Sequence, residues 1–456
     1  MASDDDVASG FFMDLDDSAL QMGKGGQGSV HYALYKGVPC VCKSIPDEQY
    51  AWNETAALRA TEKRAAIFHV VHWHAFVGRR NNVVNDTTLV AMELAFCDLM
   101  HVLHARDDKR GLGYGNTYKE WMLQIAVALR QLHARGVVHR DVKIENILLC
   151  SRGARAHKRA VDASGALPQS FEPRAEPYVV GREQSLAQCV LHTARADSSV
   201  RWDVPSSALT AVKRAHEAYS DAVIQRALAQ PDTLYNDRPI AKLCDFGMAQ
   251  VTDPEKWPPV GYSPKGSMRY AAPEVYKRHL LFADPEEYDT CWGARTRETQ
   301  KEKPSPFLTK PADVWAYGIT LFVLHFGKFP FRKAAASDWR FRQYARWADP
   351  DNLDVSACAP HSAYWDNPDE RESKPYKWPR GTPHALAHLI RSCLRLHPED
   401  RISMRDVATH AWYTGKGSVR FCHDLTPVRE PAECSEYEDM AGRVTTSTAP
   451  QRSVPQ

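Results

Sequence analysis

The chain reads as an α+β protein in two parts, a smaller strand-rich part with one helix and a larger, mainly helical one. Three observations carry this expectation. Early in the chain, residues 21–45, 69–77 and 87–94 combine glycine-rich, β-branched and aromatic character, the composition of strands. Between Tyr118 and Arg135, the residues Met122, Ile125, Ala126, Leu129 and Leu132 repeat at the i, i+3, i+4, i+7 spacing of a helix buried on one face. That helix is followed by a polar run, His139-Arg140-Asp141-Val142-Lys143-Ile144-Glu145-Asn146, which leads into the apolar Ile147, Leu148 and Leu149.

Composition bounds the partners. Of 456 residues, 43% are hydrophobic and 25% are charged, ordinary for a globular chain with a large core. With 58 Lys plus Arg against 56 Asp plus Glu the net charge is only +2, so no global field draws a nucleic acid or another polyanion. The 11 cysteines are scattered without a C-x-x-C pair, which fits reduced thiols in an intracellular protein better than a zinc site or a disulfide framework. Cys40 and Cys42 are expected as half-buried strand residues. Residues 1–14 are expected to form an acidic tail, and since Met1 to Gly10 carries three consecutive aspartates and no apolar core, no secretory signal is expected there. The apolar stretch from Ile319 to Phe326 is too short to span a bilayer. No nucleic-acid partner and no membrane partner is expected, and the expected compartment is the cytoplasm, with the nucleus left open.

In chain order, Gly23-Lys24-Gly25-Gly26-Gln27-Gly28-Ser29-Val30 fits G-x-G-x-x-G-x-V. There the missing Cβ atoms let backbone N–H groups approach a phosphate closely. After a turn at Lys36-Gly37, the strand Val38 to Ile45 carries Lys43 among apolar neighbours. A lysine in that position costs desolvation unless it meets an anion. The segment that follows offers two carboxylates as that anion, Glu54 and Glu62. The strand at 87–94 runs into Met92-Glu93-Leu94-Ala95, with Asp98 shortly after. In the polar run, Asp141, Lys143 and Asn146 bring together a carboxylate, an ammonium and a carboxamide. Such a set can orient a hydroxyl, neutralise a phosphate and hold a metal.

Residues 151–238 read as a long insert, basic at Arg152, Arg155, Lys158 and Arg159, then rich in Pro, Ser and Ala. They read as mostly flexible with one helix, carrying Leu209, Val212, Tyr219 and Val223 on one side. Loop closure makes such an insert cheap, at about 0.6 kcal/mol per doubling of length. Beyond it stand Ile240 to Cys244, strand-like, and Asp245-Phe246-Gly247. Next come Gly266-Ser267-Met268-Arg269-Tyr270-Ala271-Ala272-Pro273-Glu274, a charged insert at about 279–310, and Asp313-Val314-Trp315-Ala316-Tyr317-Gly318 at the start of an apolar helix. His397-Pro398-Glu399-Asp400-Arg401 follows, and residues 414–456 turn polar and are expected to be disordered.

The polar run matches H-R-D-x-x-x-x-N, Val41-Cys42-Lys43 fills the place of V-A-I-K, and D-F-G and A-P-E stand in the same order as in the catalytic domains of eukaryotic protein kinases. The chain resembles that family in its serine/threonine form. The resemblance implies a two-lobed kinase fold over about 15–413, with a small β-rich N-lobe at about 15–94, a hinge near Leu94 and a helical C-lobe at about 95–413. It implies transfer of the ATP γ-phosphoryl group with Mg²⁺ to a Ser/Thr hydroxyl of a protein substrate. Asp141, Lys143, Lys43, Glu54 and Ser267 would form the catalytic set. Gly23, Gly25, Gly28, Val30, Lys43, Met92, Glu93, Leu94, Ala95 and Asp98 would line the ATP site, and Asn146 and Asp245 would hold Mg²⁺. Gln27 departs from the family, which usually has an aromatic residue there, and Gln250 stands where a basic residue is common. Asp313 is expected to hold the catalytic-loop backbone, and Arg401 to pair with Glu274. Glu145, in a Lys-x-Glu-Asn setting, points to basophilic substrates of the calcium/calmodulin-kinase-like type. Ser263 matches an activating phosphosite for an upstream kinase, with Arg140 in its receptor. Two alternatives stand: a silent pseudokinase scaffold, and a kinase of small molecules or lipids, against which the intact Gly266 to Glu274 run argues.

Overall fold

The computed structural model describes residues 11–13, 17–35, 38–62, 67, 69–80, 87–105, 111–113, 117–150, 206–229, 239–252, 260–261, 265–277, 307–335, 337–347, 378–379 and 381–415. Ser263, most of both inserts and nearly all of the C-terminal segment lie outside them.

In the first lobe, β1 (Phe11–Met13), β2 (Gln21–Gly25), β3 (Gly28–Tyr35), β4 (Val38–Ile45), β5 (Trp73–Arg80) and β6 (Thr87–Glu93) form one antiparallel sheet. Its order is β1-β3-β4-β6-β5, with β2 paired to the other end of β3. Side chains alternate between faces along each strand. Val30 lies opposite Lys43 and Tyr32 opposite Val41, so these four share the face turned to the second lobe. Gly28 adopts a φ of +144°, and a Cβ there would sit 2.0 Å from the Ser44 carbonyl oxygen. Only glycine passes at that point. Helix α1 (Glu48–Glu62) packs beside the sheet.

Two expectations change here. Cys40 and Cys42 are fully buried, because Met13 and Tyr35 pack with Ala33 and Leu89 over their face; burial pushes the Cys42 thiol up to about 12. The residues that supply this cover lie partly within the expected acidic tail, since Phe11–Met13 pairs with Tyr35–Ala33 as a strand.

The second lobe begins with β7 (Cys97–Asp98) and α2 (Leu99–His104), then α3 (Thr117–His133). Short strands β8 (Val137–Val138) and β9 (Ile147–Cys150) bracket the polar run, and β9 pairs antiparallel with both β7 and β10 (Ile240–Leu243). From the insert, α4 (Ser206–Ala229) folds back onto the first lobe. Strands β11 (Gln250–Val251), β12 (Val260–Gly261) and β13 (Phe307–Leu308) are two residues each, β11 pairing with β8 and β12 with β13. Helices α5 (Thr309–Phe326), α6 (Trp339–Trp347), α7 (His384–Cys393), α8 (Met404–Thr409) and α9 (Ala411–Thr414) complete it.

Helix α5 is apolar around nearly its whole circumference, the pattern of a helix enclosed by others. It starts at Thr309, earlier than its Asp-Val-Trp signature, because Pro311 suits a first helical turn. The fold is α+β with two lobes, a β-rich sheet domain with one helix above a helical domain. Among the described residues, no helix is long and apolar enough to cross a membrane.

Candidate active site

Lys43 lies mid-strand in β4, and its Nζ donates to Glu54 Oε2 of α1 at 2.5 Å and to Asp245 Oδ1 at 2.7 Å. Of the two glutamates weighed on α1, Glu54 is therefore the partner. Burial alone would lower the Lys43 pKa, but the Glu54 and Asp245 carboxylates outweigh it and shift it upward. Burial raises Glu54 more than the Lys43 ammonium lowers it. At Asp245 burial loses to the same ammonium, and the carboxyl titrates below its usual range. Beside Glu54, Asn53 Nδ2 donates to the Gly247 carbonyl at 2.9 Å, so α1 holds the Gly247 end of Asp245-Phe246-Gly247 directly and the Asp245 end through Lys43.

The polar run closes on itself. Asp141 Oδ2 accepts from Lys143 Nζ at 2.7 Å and from Asn146 Nδ2 at 3.1 Å, while Oδ1 accepts from the Ser267 N–H at 2.8 Å. Lys143 Nζ also donates to Ser267 Oγ at 2.9 Å. This shape requires left-handed backbone at two non-glycine residues, Arg140 with φ 68° and Asp245 with φ 64°. Asp313 holds the first, accepting from the Arg140 N–H at 2.7 Å and from the His139 N–H and His133 Nε2 at 2.9 Å each. His139 Nε2 donates to the Cys244 carbonyl at 2.9 Å and its ring meets Phe246 edge-on at 4.8 Å. Its role is packing. Gly266, with φ +98°, passes so near that a Cβ would lie 2.2 Å from the Arg140 carbonyl oxygen.

At the hinge, Met92 is buried and lies opposite Val41, on the face shared with Lys43. The Glu93 carboxylate is committed elsewhere, since Lys242 Nζ donates to its Oε1 and Oε2 at 2.6 and 2.7 Å and the His72 N–H donates to Oε1 at 2.6 Å, while the Glu93 N–H donates to the His72 carbonyl at 2.8 Å. The N–H groups of Leu94 and Ala95 have no hydrogen-bond partner among the described residues. Asp98, expected near a ribose, caps α2 by accepting from the His101 N–H at 2.7 Å. Burial raises its pKa in spite of that bond.

The residues fit a nucleotide with a divalent cation. Unpaired hinge N–H groups suit the edge of a base, and Cβ atoms built at Gly23 and Gly25 would meet nothing within 4 Å, so that loop can accept a phosphate from its open side. With Asn146 Nδ2 committed to Asp141, the amide Oδ1 remains as its ligand atom; Asp245 keeps Oδ2 beside the Lys43-bound Oδ1. One carboxylate and one amide oxygen suit Mg²⁺, which keeps waters and takes phosphate oxygens for the rest of its shell. Gln27, at the tip of the glycine-rich loop, turns its Oε1 inward over Gly247, buried without a partner.

On the far side of Ser267, Tyr270 O–H donates to Glu145 Oε2 at 3.1 Å. Arg401 meets Glu274 through two bonds of 2.7 and 2.8 Å. Ser263 lies outside the described residues, so its proximity to Arg140 stays an expectation.

Two contributors to the site escaped the sequence. Lys242, 1% exposed in the apolar strand β10, invites the same question as Lys43: which anion does it meet? His216, in the insert helix, had no local signal, because its partners, Tyr32 and Ala95, are far away in sequence.

The chain matches the family model described as protein kinase domain over residues 17–160 and 298–413, more than half its length. Asp245 and Glu274 fall between the matched segments and join the site by geometry. A dual serine/threonine and tyrosine protein kinase of Homo sapiens is 34% identical over 137 residues, covering 28% of this chain and 14% of that protein. Its counterpart in Macaca mulatta gives the same figures. Cyclin-dependent kinase F-4 of Oryza sativa subsp. japonica is 24% identical over 264 residues, 57% of this chain and 52% of the relative. The chain thus spans about half, or much less, of the curated relatives it matches. With the fold, the buried lysine pair and the family match in agreement, the chain belongs to the protein kinase family.

Proposed function

We propose that the chain is an ATP-dependent serine/threonine protein kinase acting on protein substrates. The observation that carries this reading is Lys43 closed on Glu54 and Asp245 at once, beside a loop in which Asp141, Lys143, Asn146 and Ser267 bond to one another. A silent scaffold of the same fold has no need to keep that set aligned.

Catalysis then rests on positioning and electrostatics. Asp141 orients the acceptor hydroxyl and takes up its proton. Lys143 neutralises charge on the transferred phosphoryl group, and Ser267 keeps its ammonium in reach. Lys43 binds the α- and β-phosphates and Glu54 fixes its position. Backbone N–H groups near Gly23, Gly25 and Gly28 cover the phosphates, while Val30, Met92 and the Glu93-Leu94-Ala95 backbone enclose the base and Asp98 lies toward the ribose. Asn146 and Asp245 would hold Mg²⁺, which when bound would neutralise phosphate charge.

Lys143, two residues after Asp141, supports serine or threonine as acceptor. The names of the dual-specificity relatives make added tyrosine phosphorylation the second reading. Labelled Mg-ATP, a mixed protein substrate, and the chain beside its Asp141→Asn variant provide the test. Phosphoserine or phosphothreonine from the unaltered chain alone is expected; phosphotyrosine as well favours the second reading. ATP binding with no transfer by either protein overturns both in favour of a scaffold.

Glu145 and Ser263 extend the reading to substrate choice and activation. Peptides with an arginine before the acceptor are expected to turn over faster, with Glu145 sharing its carboxylate between that arginine and Tyr270; equal turnover removes the idea. An upstream kinase acting on Ser263 is expected to raise the rate, and equal rates for the unaltered chain and Ser263→Ala, with and without phosphatase treatment, remove that one.

A further inference from the structure

Helix α4 belongs to the insert, yet it is built into the nucleotide end of the cleft. Leu209 and Val212 pack with Leu20, Tyr32 and Leu34, and Leu94 of the hinge borders the same cluster. Lys213 Nζ donates to the Ala19 carbonyl at 2.6 Å. One turn on, His216 places Nδ1 2.9 Å from Tyr32 Oη and Nε2 2.7 Å from the Ala95 carbonyl oxygen. Farther along, Ser220 is buried, and Ile224 enters the main core.

The tautomer follows from these partners. A carbonyl oxygen only accepts, so Nε2 carries the proton. Nδ1 then has a lone pair and accepts the Tyr32 O–H. The neutral ring is also the form that burial favours, since burial lowers the His216 pKa.

The bond at Ala95 has a counterpart on the opposite side of the same peptide unit. The Phe96 N–H donates to the Leu149 carbonyl at 2.8 Å, and Leu149 lies in β9, the strand that leaves Asn146. In a trans peptide the C=O and N–H point in opposite directions, so the Ala95-Phe96 peptide is clamped between α4 and β9. This fixes the residue whose N–H group is free at the hinge. Through Tyr32, the same imidazole ties in β3, the strand that carries Val30 two residues earlier on the same face.

We propose that His216 is a positioning residue for the nucleotide site, supplied by the insert to clamp the Ala95-Phe96 hinge peptide and link it to strand β3 through Tyr32. This rests on the reading of the cleft as an ATP site. The insert is then part of the site rather than a decoration of the loop between β9 and β10.

The test uses the full chain and its His216→Ala, His216→Gln and Tyr32→Phe variants, with steady-state kinetics against ATP and binding of a fluorescent ATP analogue. Loss of the hydrogen bonds to Ala95 and Tyr32, at about 1 kcal/mol each, beside the longer 3.2 Å contact of Nε2 with Ser220 Oγ, predicts a rise in ATP KM and analogue Kd of about fivefold to thirtyfold for His216→Ala, with kcat within twofold. Glutamine can donate to Ala95 and accept from Tyr32, so His216→Gln recovers most of the loss. Tyr32→Phe shows a smaller rise, and adding it to His216→Ala changes nothing further. Hydrogen exchange without nucleotide supplies an independent arm: the amides from Leu94 to Asp98 exchange faster in His216→Ala than in the unaltered chain. Unchanged KM, Kd and hinge exchange in His216→Ala overturn the proposal while the kinase reading stands. A fall in kcat with KM unchanged also overturns it. Failure of the unaltered chain to bind any nucleotide overturns both.

Discussion

The carboxylate of Asp313 accepts the Arg140 backbone N–H at 2.7 Å and holds that residue at a φ of 68°, in left-handed space that a side chain rarely occupies. Strain of that kind costs about 1–3 kcal/mol and persists only where surrounding bonds outweigh it. Here a residue on the central helix supplies them, and Asp141 points into the cleft as a result. Replacing Asp313 by alanine leaves the His139 and Arg140 amides and the His133 ring without their acceptor. The expected outcome is a loss of about 3 kcal/mol in urea unfolding and a kcat at least tenfold lower, with Asp313→Asn intermediate in both.

The two-sided pairing of Lys43 predicts a separation of activity from stability. Lys43→Met should reduce phosphoryl transfer by about 10²–10³-fold, the scale for removing one preorganised electrostatic contact. Glu54→Gln, which keeps shape but releases Lys43 from one anion, should fall between that variant and the unaltered chain. Single-turnover transfer rates beside thermal unfolding would check this, and equal rates in all three proteins would contradict the role given to the pair.

Arg401 and Glu274 form a two-point contact away from the reacting groups. Removing one partner of a largely buried pair strands the other charge, so Arg401→Ala is expected to cost about 3 kcal/mol. The double variant with Glu274→Gln should recover part of that cost. A double-mutant cycle in denaturant measures it; simple additivity would mean that the two act independently.

His325 makes stability depend on pH. Burial pushes its pKa down to about 4 from an ordinary 6.5, and its Nδ1 lies 2.6 Å from Tyr118 Oη. The folded chain therefore binds fewer protons here than the unfolded chain between those two values. Stability from this group is complete above about 6.5 and is lost as pH falls toward 4, by on the order of 3 kcal/mol. Thermal unfolding from pH 7 to 4 should show a shallower decline in His325→Gln than in the unaltered chain.

Much of this site could be read in one dimension because its chemistry is held in short strings. Asp141, Lys143 and Asn146 lie within one loop, and a lysine inside an apolar strand announces that it needs an anion. Lys242 poses the same question as Lys43, yet its partner Glu93 is expected from the sequence only in the lining of the ATP site. Cys40 and Cys42 are fully buried rather than half-buried because part of their cover comes from Met13, in a stretch whose composition reads as an acidic tail.

The strand-rich and helical parts, the motifs and the residue types of the cleft are legible along the chain, because local periodicity and local chemistry are written in adjacent residues. The tertiary structure decided which glutamate meets Lys43, that Asp313 holds Arg140 in left-handed space, and that an insert helix delivers His216 to the hinge. Those contacts join residues far apart in the chain. They form only when packing brings the partners within hydrogen-bonding reach, where burial makes an unpaired polar group too costly to leave alone.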